Sequence, residues 1–343
     1  MLQNTDGVFA ANEYPVELPD MPMWQENYAF TCTDPVTGIG LLAFLGRSSA
    51  DPGLWREVVA IALPGERMLC MKNYGRAATA EVASASLFRV EVVRPAQTVR
   101  IVYDGPAFEQ PRADLLKYGF QPGLALRCKF ELVLDGVAPV WNVSGNVGNI
   151  NETAGLAHTE QVGRGDGYIE FGTERFDLRN ASTSRAHRSG PRNIDNFKRH
   201  CWANGYFQDD DITFGMNAVE VYGVDGAAVS HASVTKAGRR HPAEVKEIEL
   251  IEGYADGCRP FKMVIASELG EMVLNKSATI TSTPISMVSP WDVYIGAIHG
   301  VPSGLTFAEA VRWEWQGKQG TGWSERCFVH EPFSRFSAPM PKT

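Results

Sequence analysis

The residues able to carry chemistry concentrate between positions 158 and 214. His158 and Glu160 stand two apart, so on a strand both side chains project to one face. An imidazole beside a carboxylate can share a proton and act as acid and base. The same pair would also make a rim ion pair on a sheet, and the two residues alone leave both readings open. Farther on, Arg185, His187, Arg188 and Arg192 put one imidazole and three guanidiniums within eight residues. Gly190 and Pro191 interrupt this run, which reads as a loop or strand end where functional groups gather; a solvated basic loop is the plainer reading. Between the clusters, Gly163-Arg164-Gly165-Asp166-Gly167 reads as a hairpin turn. Trp202, Tyr206, Phe207 and Phe214 follow and offer walls for a pocket or a core.

The elements that must position these groups are strands. Phe88, Val90 and Val92 alternate with Arg89 and Glu91, and Cys128, Phe130, Leu132 and Leu134 alternate with Lys129, Glu131 and Val133. Val311, Trp313 and Trp315 alternate with Arg312 and Glu314. A period of two means one buried and one wet face, as in antiparallel sheets. Asp-Gly pairs at 104–105, 135–136, 166–167, 225–226 and 256–257 are hairpin signals. Short helices are expected only at 53–60, 112–118 and 307–310. Strand-rich chains hide their sheet edges in closed barrels or sandwiches, and 343 residues suit about two such units. The Gly- and Asn-rich stretch 144–155 is the expected passage between halves, dividing the chain into 1–155 and 156–343.

Composition narrows the function. Thirty-two Lys and Arg against 40 Asp and Glu leave a net charge of −8, the wrong balance for gripping phosphates, so nucleic acid is not an expected partner. No apolar run approaches the roughly 18–20 residues that span a bilayer, and the first residues lack the pattern of a secretory leader. A cytoplasmic location is expected. Six cysteines lie far apart and never at CxxC spacing, so they read as scattered thiols. No nucleophile elbow, P-loop, dinucleotide fingerprint or HExxH is present. Neither metal nor organic cofactor is expected, although His158, His187 and His200 could converge from distant positions. Asp209-Asp210-Asp211 reads as a turn.

Glu160-Gln161-x-Gly163-Arg164-x-x-Gly167, then Arg185-x-His187-x-x-Gly190-x-Arg192, then Trp202 and Phe207, resembles the AttH/CrtC-like group, which contains the carotenoid 1,2-hydratases and, more distantly, tocopherol cyclase. Echoes extend to Glu26-Asn27-Tyr28, Gly46-Arg47, Ser289-Pro290-Trp291-Asp292 and Gly320-x-Gly322-Trp323-x-Glu325, covering roughly residues 24–328. Where that group often reads Arg-Asp-His-Ser-Trp-Gly, this chain has Arg185-Ala186-His187-Arg188-Ser189-Gly190. The resemblance implies an all-β fold of two lipocalin-like antiparallel β-barrels packed together, with an apolar pocket near their junction. It also implies cofactor-independent lyase or isomerase chemistry, of the hydratase or cyclase type, on a hydrophobic terpenoid, steroid-like or aromatic molecule. His158, Glu160 and His187 are the expected catalytic groups, facing one cavity. Two arginines beside a carboxylate would hold it ionised, which leaves His187 first in rank as proton donor. Arg164, Arg188 and Arg192 would orient an oxygen-bearing group, and Trp202, Tyr28 and Trp291 would form walls. A non-catalytic carrier of a hydrophobic ligand is the competing reading. A homodimer is compatible with either.

Overall fold

Alternation closes into two antiparallel barrels in the computed structural model, which describes residues 13–17, 24–48, 51–77, 79, 82–143, 157–191, 197–223, 229–253, 256–288, 292–298 and 303–329. The first sheet comprises β1 (Trp24–Asp34), β2 (Ile39–Ser48), β3 (Asp51–Leu63), β4 (Arg67–Arg76), β5 (Phe88–Arg94), β6 (Thr98–Pro111), β7 (Ala125–Gly136), β8 (Trp141–Asn142), β9 (Ala157–Phe171) and β10 (Glu174–Pro191). Its ring runs β1-β2-β3-β4-β6-β7-β9-β10 and returns to β1, with β5 laid on β6 and β8 on β9. The second sheet holds β11 (Phe197–Phe207), β12 (Ile212–Val221), β13 (Val229–Lys236), β14 (Arg239–Ile248), β15 (Lys262–Ser267), β16 (Gly270–Val288), β17 (Asp292–Ile295), β18 (Gly304–Trp315) and β19 (Lys318–Val329). It closes because β16 pairs with β15 near its start and with β18 beyond. Each ring removes the open edges that a sheet of this size would otherwise present.

The sheets change over between Pro191 and Phe197, not at residue 155. β9 and β10 lie beyond 155 yet belong to the first ring, because β10 must reach β1 to close it. The stretch 144–155, expected to pass between the halves, lies outside the described residues.

Hairpin chemistry also differs from the Asp-Gly reading. Asp104-Gly105 and Asp166-Gly167 lie inside β6 and β9. The tight turns are instead Ala237-Gly238 and Gln316-Gly317, where both residues have positive φ (51° and 73°, 51° and 76°), the geometry that matches strand twist in a two-residue hairpin. Gly163, Gly165 and Gly167 therefore line strand β9 and form no turn. A Cβ on Gly167 would stand 2.0 Å from the Glu131 carbonyl oxygen, so glycine there allows β9 to bend against β7. Of the three expected helices only 112–118 forms, as α1 (Arg112–Tyr118), the one α-helix among the described residues. Residues 53–60 and 307–310 are in β3 and β18; their apolar runs face the packed barrels on both sides.

Three apolar layers result. Tyr28, Phe30, Leu41 and Phe130 fill the first lumen, and Ala203, Phe214, Met216 and Trp313 the second. Ala29, Leu42, Val58, Ala60, Trp202, Ala310 and Trp323 pack the outer walls against each other. The neighbouring indices 28 and 29 fall in different layers because side chains alternate across a barrel wall. The second lumen also holds charge. Lys276 points into the second lumen and bonds both oxygens of Glu309 at 2.9 and 2.8 Å, with both side chains 0% exposed. Arg326 stands 3.7 Å from the same carboxylate and donates to the Arg259 carbonyl at 3.0 Å. Burial pushes the Lys276 amine down from its ordinary value, against the pull of Glu309. Removing one partner of such a pair strands a charge. Lys276→Met is expected to cost about 3–5 kcal/mol in urea unfolding, and adding Glu309→Leu to recover most of it.

Candidate functional site

The pairing of β9 with β10 decides where every candidate side chain points. His187 lies opposite Thr159, Ala186 opposite Glu160, and Arg188 opposite His158. Residues opposite one another share a face. His187 and Arg185 therefore face the first lumen with Thr159 and Gln161, whereas His158, Glu160, Arg164 and Arg188 face the second barrel. The expected single cavity holding His158, Glu160 and His187 together is thus replaced by two clusters, back to back across one wall.

In the lumen, β1 brings Glu26 and Tyr28 beside His187. His187 Nε2 is 2.8 Å from Glu26 Oε1, and its ring stacks on Tyr28 at 4.0 Å and 9°. Arg47 on β2 holds the other oxygen, Oε2, through Nε at 2.7 Å and Nη2 at 2.6 Å, and the Val16 amide donates to Oε1 at 2.9 Å. Glu26 carries its charge inside the barrel because Arg47 matches it. Burial, with Glu26 beside it, raises the Tyr28 phenol well above its usual range, so it stays protonated. Arg185 donates through Nε to Gln161 at 2.8 Å and through Nη1 to Glu13. Its Nη2 is buried without a hydrogen-bond partner. Tyr28, Gln161, Arg185 and His187, with Phe30, Val90, Val92, Val99 and Val140, line a concavity of about 340 Å³, including space open to solvent. It is polar on the β9–β10 wall and aliphatic opposite.

On the outer face, His158 Nε2 is 2.8 Å from Glu160 Oε1. Trp202 and Asn217, from β11 and β12, donate to Glu160 at 3.1 and 2.8 Å. Burial alone would raise the Glu160 carboxyl; His158, Arg188 and Asn217 outweigh it and bring it down to about 2. Burial pushes His158 down to about 4, Arg188 adding to the effect and Glu160 opposing it. Arg188 donates through Nε to His158 Nε2 at 2.9 Å. His158 and Glu160 are 3% and 6% exposed and tie the barrels together.

The remaining candidates divide the same way. Tyr28 is a lumen wall. Trp202 is a junction donor, and Arg164 bonds the Tyr206 hydroxyl and lies 4.9 Å from its ring, also at the junction. Arg192 and Trp291 lie outside the described residues. The run 185–190 is strand, not loop. Sequence reasoning gave no role to Glu26, Arg47, Glu13 or Gln161. Glu26 is 161 positions from His187, and no local spacing joins them; the available signal was the family echo at Glu26-Asn27-Tyr28 and Gly46-Arg47.

The family model for a domain of unknown function, DUF7064, matches residues 10–329. No curated protein matches the chain. Among solved structures, a putative AttH from Nitrosomonas europaea is similar at a TM-score of 0.56 and 13% identity, over 91% of this chain and 97% of that one. CghA is similar at 0.54 and 9%, over 93% and 94%. Kievitone hydratase from Nectria haematococca is similar at 0.51 and 11%, over 96% of both. The likeness to these structures is one of fold, the antiparallel double barrel.

The outer pair makes stability depend on pH. Both folded-state values lie below the ordinary ones, so the unfolded chain binds more protons across roughly pH 2–6.5. Stability contributed by the pair is present above about pH 6.5 and is lost as the pH falls through about 4 and then 2. The melting temperature is expected to fall on acidification from pH 7 to 4, and His158→Gln to flatten that dependence between pH 6.5 and 4. An unchanged slope in the folded variant would remove His158 from this role.

Proposed function

The chain belongs to the DUF7064 family, a domain of unknown function, and from that footing we propose that it is a cofactor-independent hydratase or cyclase acting on a hydrophobic small molecule in the lumen of the first barrel. The observation that carries this reading is the Glu26–His187 contact, 2.8 Å long, with His187 lining a concavity whose other side is aliphatic. Kievitone hydratase among the similar folds supports the reaction class.

His187 is the proton donor. The imidazolium forms against the Glu26 carboxylate, which Arg47 fixes from behind, so ring orientation and charge are set before a substrate enters. Protonation of one alkene carbon leaves a cation on its neighbour, beside the face of Tyr28. In a hydration, water attacks that carbon and returns its surplus proton to His187, for a net addition of one water. In a cyclisation, an internal double bond attacks, and a carbon of the new ring gives the proton back. Arg185 Nη2, buried without a partner, suits an oxygen on the substrate. Phe30, Val90, Val92 and Val99 hold the hydrocarbon body. His158, Glu160, Arg188, Arg164 and Trp202 position β9 and β10 from the opposite face.

Native mass spectrometry of the purified protein identifies a retained ligand. Incubating that ligand with the protein in ¹⁸O-water should add the mass of one labelled water, or change retention at constant mass for a cyclisation. His187→Gln should lower turnover about 10²–10⁴-fold, with the circular dichroism spectrum and melting temperature nearly unchanged. Glu26→Gln should act in the same direction and more weakly. A ligand recovered unchanged from the native protein makes it a carrier and ends the enzymatic reading.

A further inference from the structure

Residues 13–17 precede the first strand, and they reach the side chains of the first lumen. The Val16 amide donates to Glu26 Oε1 at 2.9 Å, and Arg47 Nη2 donates to the Val16 carbonyl at 2.6 Å. The Tyr28 hydroxyl donates to the Glu13 carbonyl at 3.5 Å. Glu13 is 7% exposed and borders the lumen concavity together with His187 and Arg185. Its carboxylate pairs with Arg185 Nη1, 172 positions away.

Arg185 is held firmly. Its Nε donates to Gln161 Oε1 at 2.8 Å, and Gln161 in turn donates to the carbonyls of Ala96 and Ala138 at 2.9 and 2.8 Å. That leaves Nη2, buried and without a hydrogen-bond partner. The guanidinium charge is met by the Glu13 carboxylate, as that of Arg47 is met by Glu26. Each pair sums to zero. Glu160 also borders the concavity, with its carboxylate turned to Trp202 and Asn217 at the junction. A guest at Nη2 therefore meets N–H donors whose cation is already neutralised.

We propose that Glu13 determines which guests the lumen takes: uncharged molecules bearing a carbonyl or hydroxyl oxygen are admitted, and carboxylates of the same shape are rejected. A neutral oxygen accepts from Arg185 Nη2 and leaves the Glu13 pair intact. A carboxylate in that place would give up its own hydration and stand beside the Glu13 carboxylate in a desolvated wall, where like charges repel strongly. The backbone anchors at Val16 do not involve the Glu13 side chain, so neutralising that side chain leaves them in place. The inference rests on the lumen as the ligand site, as proposed above, and not on turnover there.

The probes are 2-acetylnaphthalene and 2-naphthoate, a ketone and an acid of nearly equal shape. They are titrated calorimetrically into the full chain at about pH 8.5, where an imidazole is ordinarily neutral. The native protein is expected to bind the ketone about tenfold or more tightly than the acid. Glu13→Gln should strengthen naphthoate about tenfold and change the ketone less than about threefold. Naphthoate bound by the native protein as tightly as the ketone overturns the proposal. So does an unchanged ratio of affinities in Glu13→Gln, the result of a pair that only secures the segment and whose loss weakens both probes alike. If Glu13→Gln fails to fold, Glu13→Gln with Arg185→Gln removes both charges together; it should weaken the ketone and erase the native preference, and a preference kept there overturns the proposal. Binding of neither probe also overturns it. Turnover is read separately: selective ketone binding without conversion of the retained ligand ends the enzymatic reading and leaves the role of Glu13 standing, whereas conversion with an unchanged ratio ends only the proposal.

Discussion

Pairing of β1 with β10 is the contact on which the rest of the first barrel depends. It closes the ring, and its register sets Tyr28 against His187 and Glu26 against Ser189. With side chains alternating across the wall, that register sends Glu26, Tyr28, Arg185 and His187 inward together. A slip of β10 by one residue would send Arg185 and His187 outward and leave Ala186 and Arg188 in the lumen. Closure and the acid–base pair are therefore one event: the chain cannot complete the hydrogen-bonded ring without bringing a β1 carboxylate to a β10 imidazole.

Charge inside both barrels obeys a common rule. In the first lumen Glu26 is matched by Arg47, whose guanidinium lies between Trp24 and Trp55 at 5.4 and 4.8 Å from their rings. In the second, Glu309 is matched by Lys276, with Arg326 lying 4.4 Å from the Phe261 ring. The difference lies in the space beside each pair. The first reaches a concavity through His187, which bonds Glu26 and lines it, while in the second Arg326 is committed to the carbonyls of residues 256, 257 and 259.

The wall between lumen and junction then has two chemical faces. Its inner side presents His187 and Arg185, and its outer side His158, Glu160 and Arg188, with Glu160 gripped by Trp202 and Asn217 of the second barrel. The second barrel thus fixes β9 and β10 from behind. Small residues make the approach close: a Cβ on Gly40 would lie 2.2 Å from Thr281 Oγ1.

Alternation and composition determined much of this protein before any fold was known. Rows such as Phe88–Val92 and Val311–Trp315 specify half-buried antiparallel strands, because the period-2 pattern is local and a strand has no other way to satisfy it. The same local rule put His158 and Glu160 on one face, and their 2.8 Å contact follows. Tertiary structure decided what lies between distant positions. Gly163–Gly167 resembles a turn in isolation, yet strand pairing with β7 and β10 makes it barrel wall. His187 lies on the opposite face from Glu160 because pairing sets it against Thr159, one residue away from the register that would have joined them. Glu26 meets His187 only through ring closure across 161 positions. Side-chain period is a property of the strand itself, whereas register and closure are settled by which residues the whole barrel can bury at once.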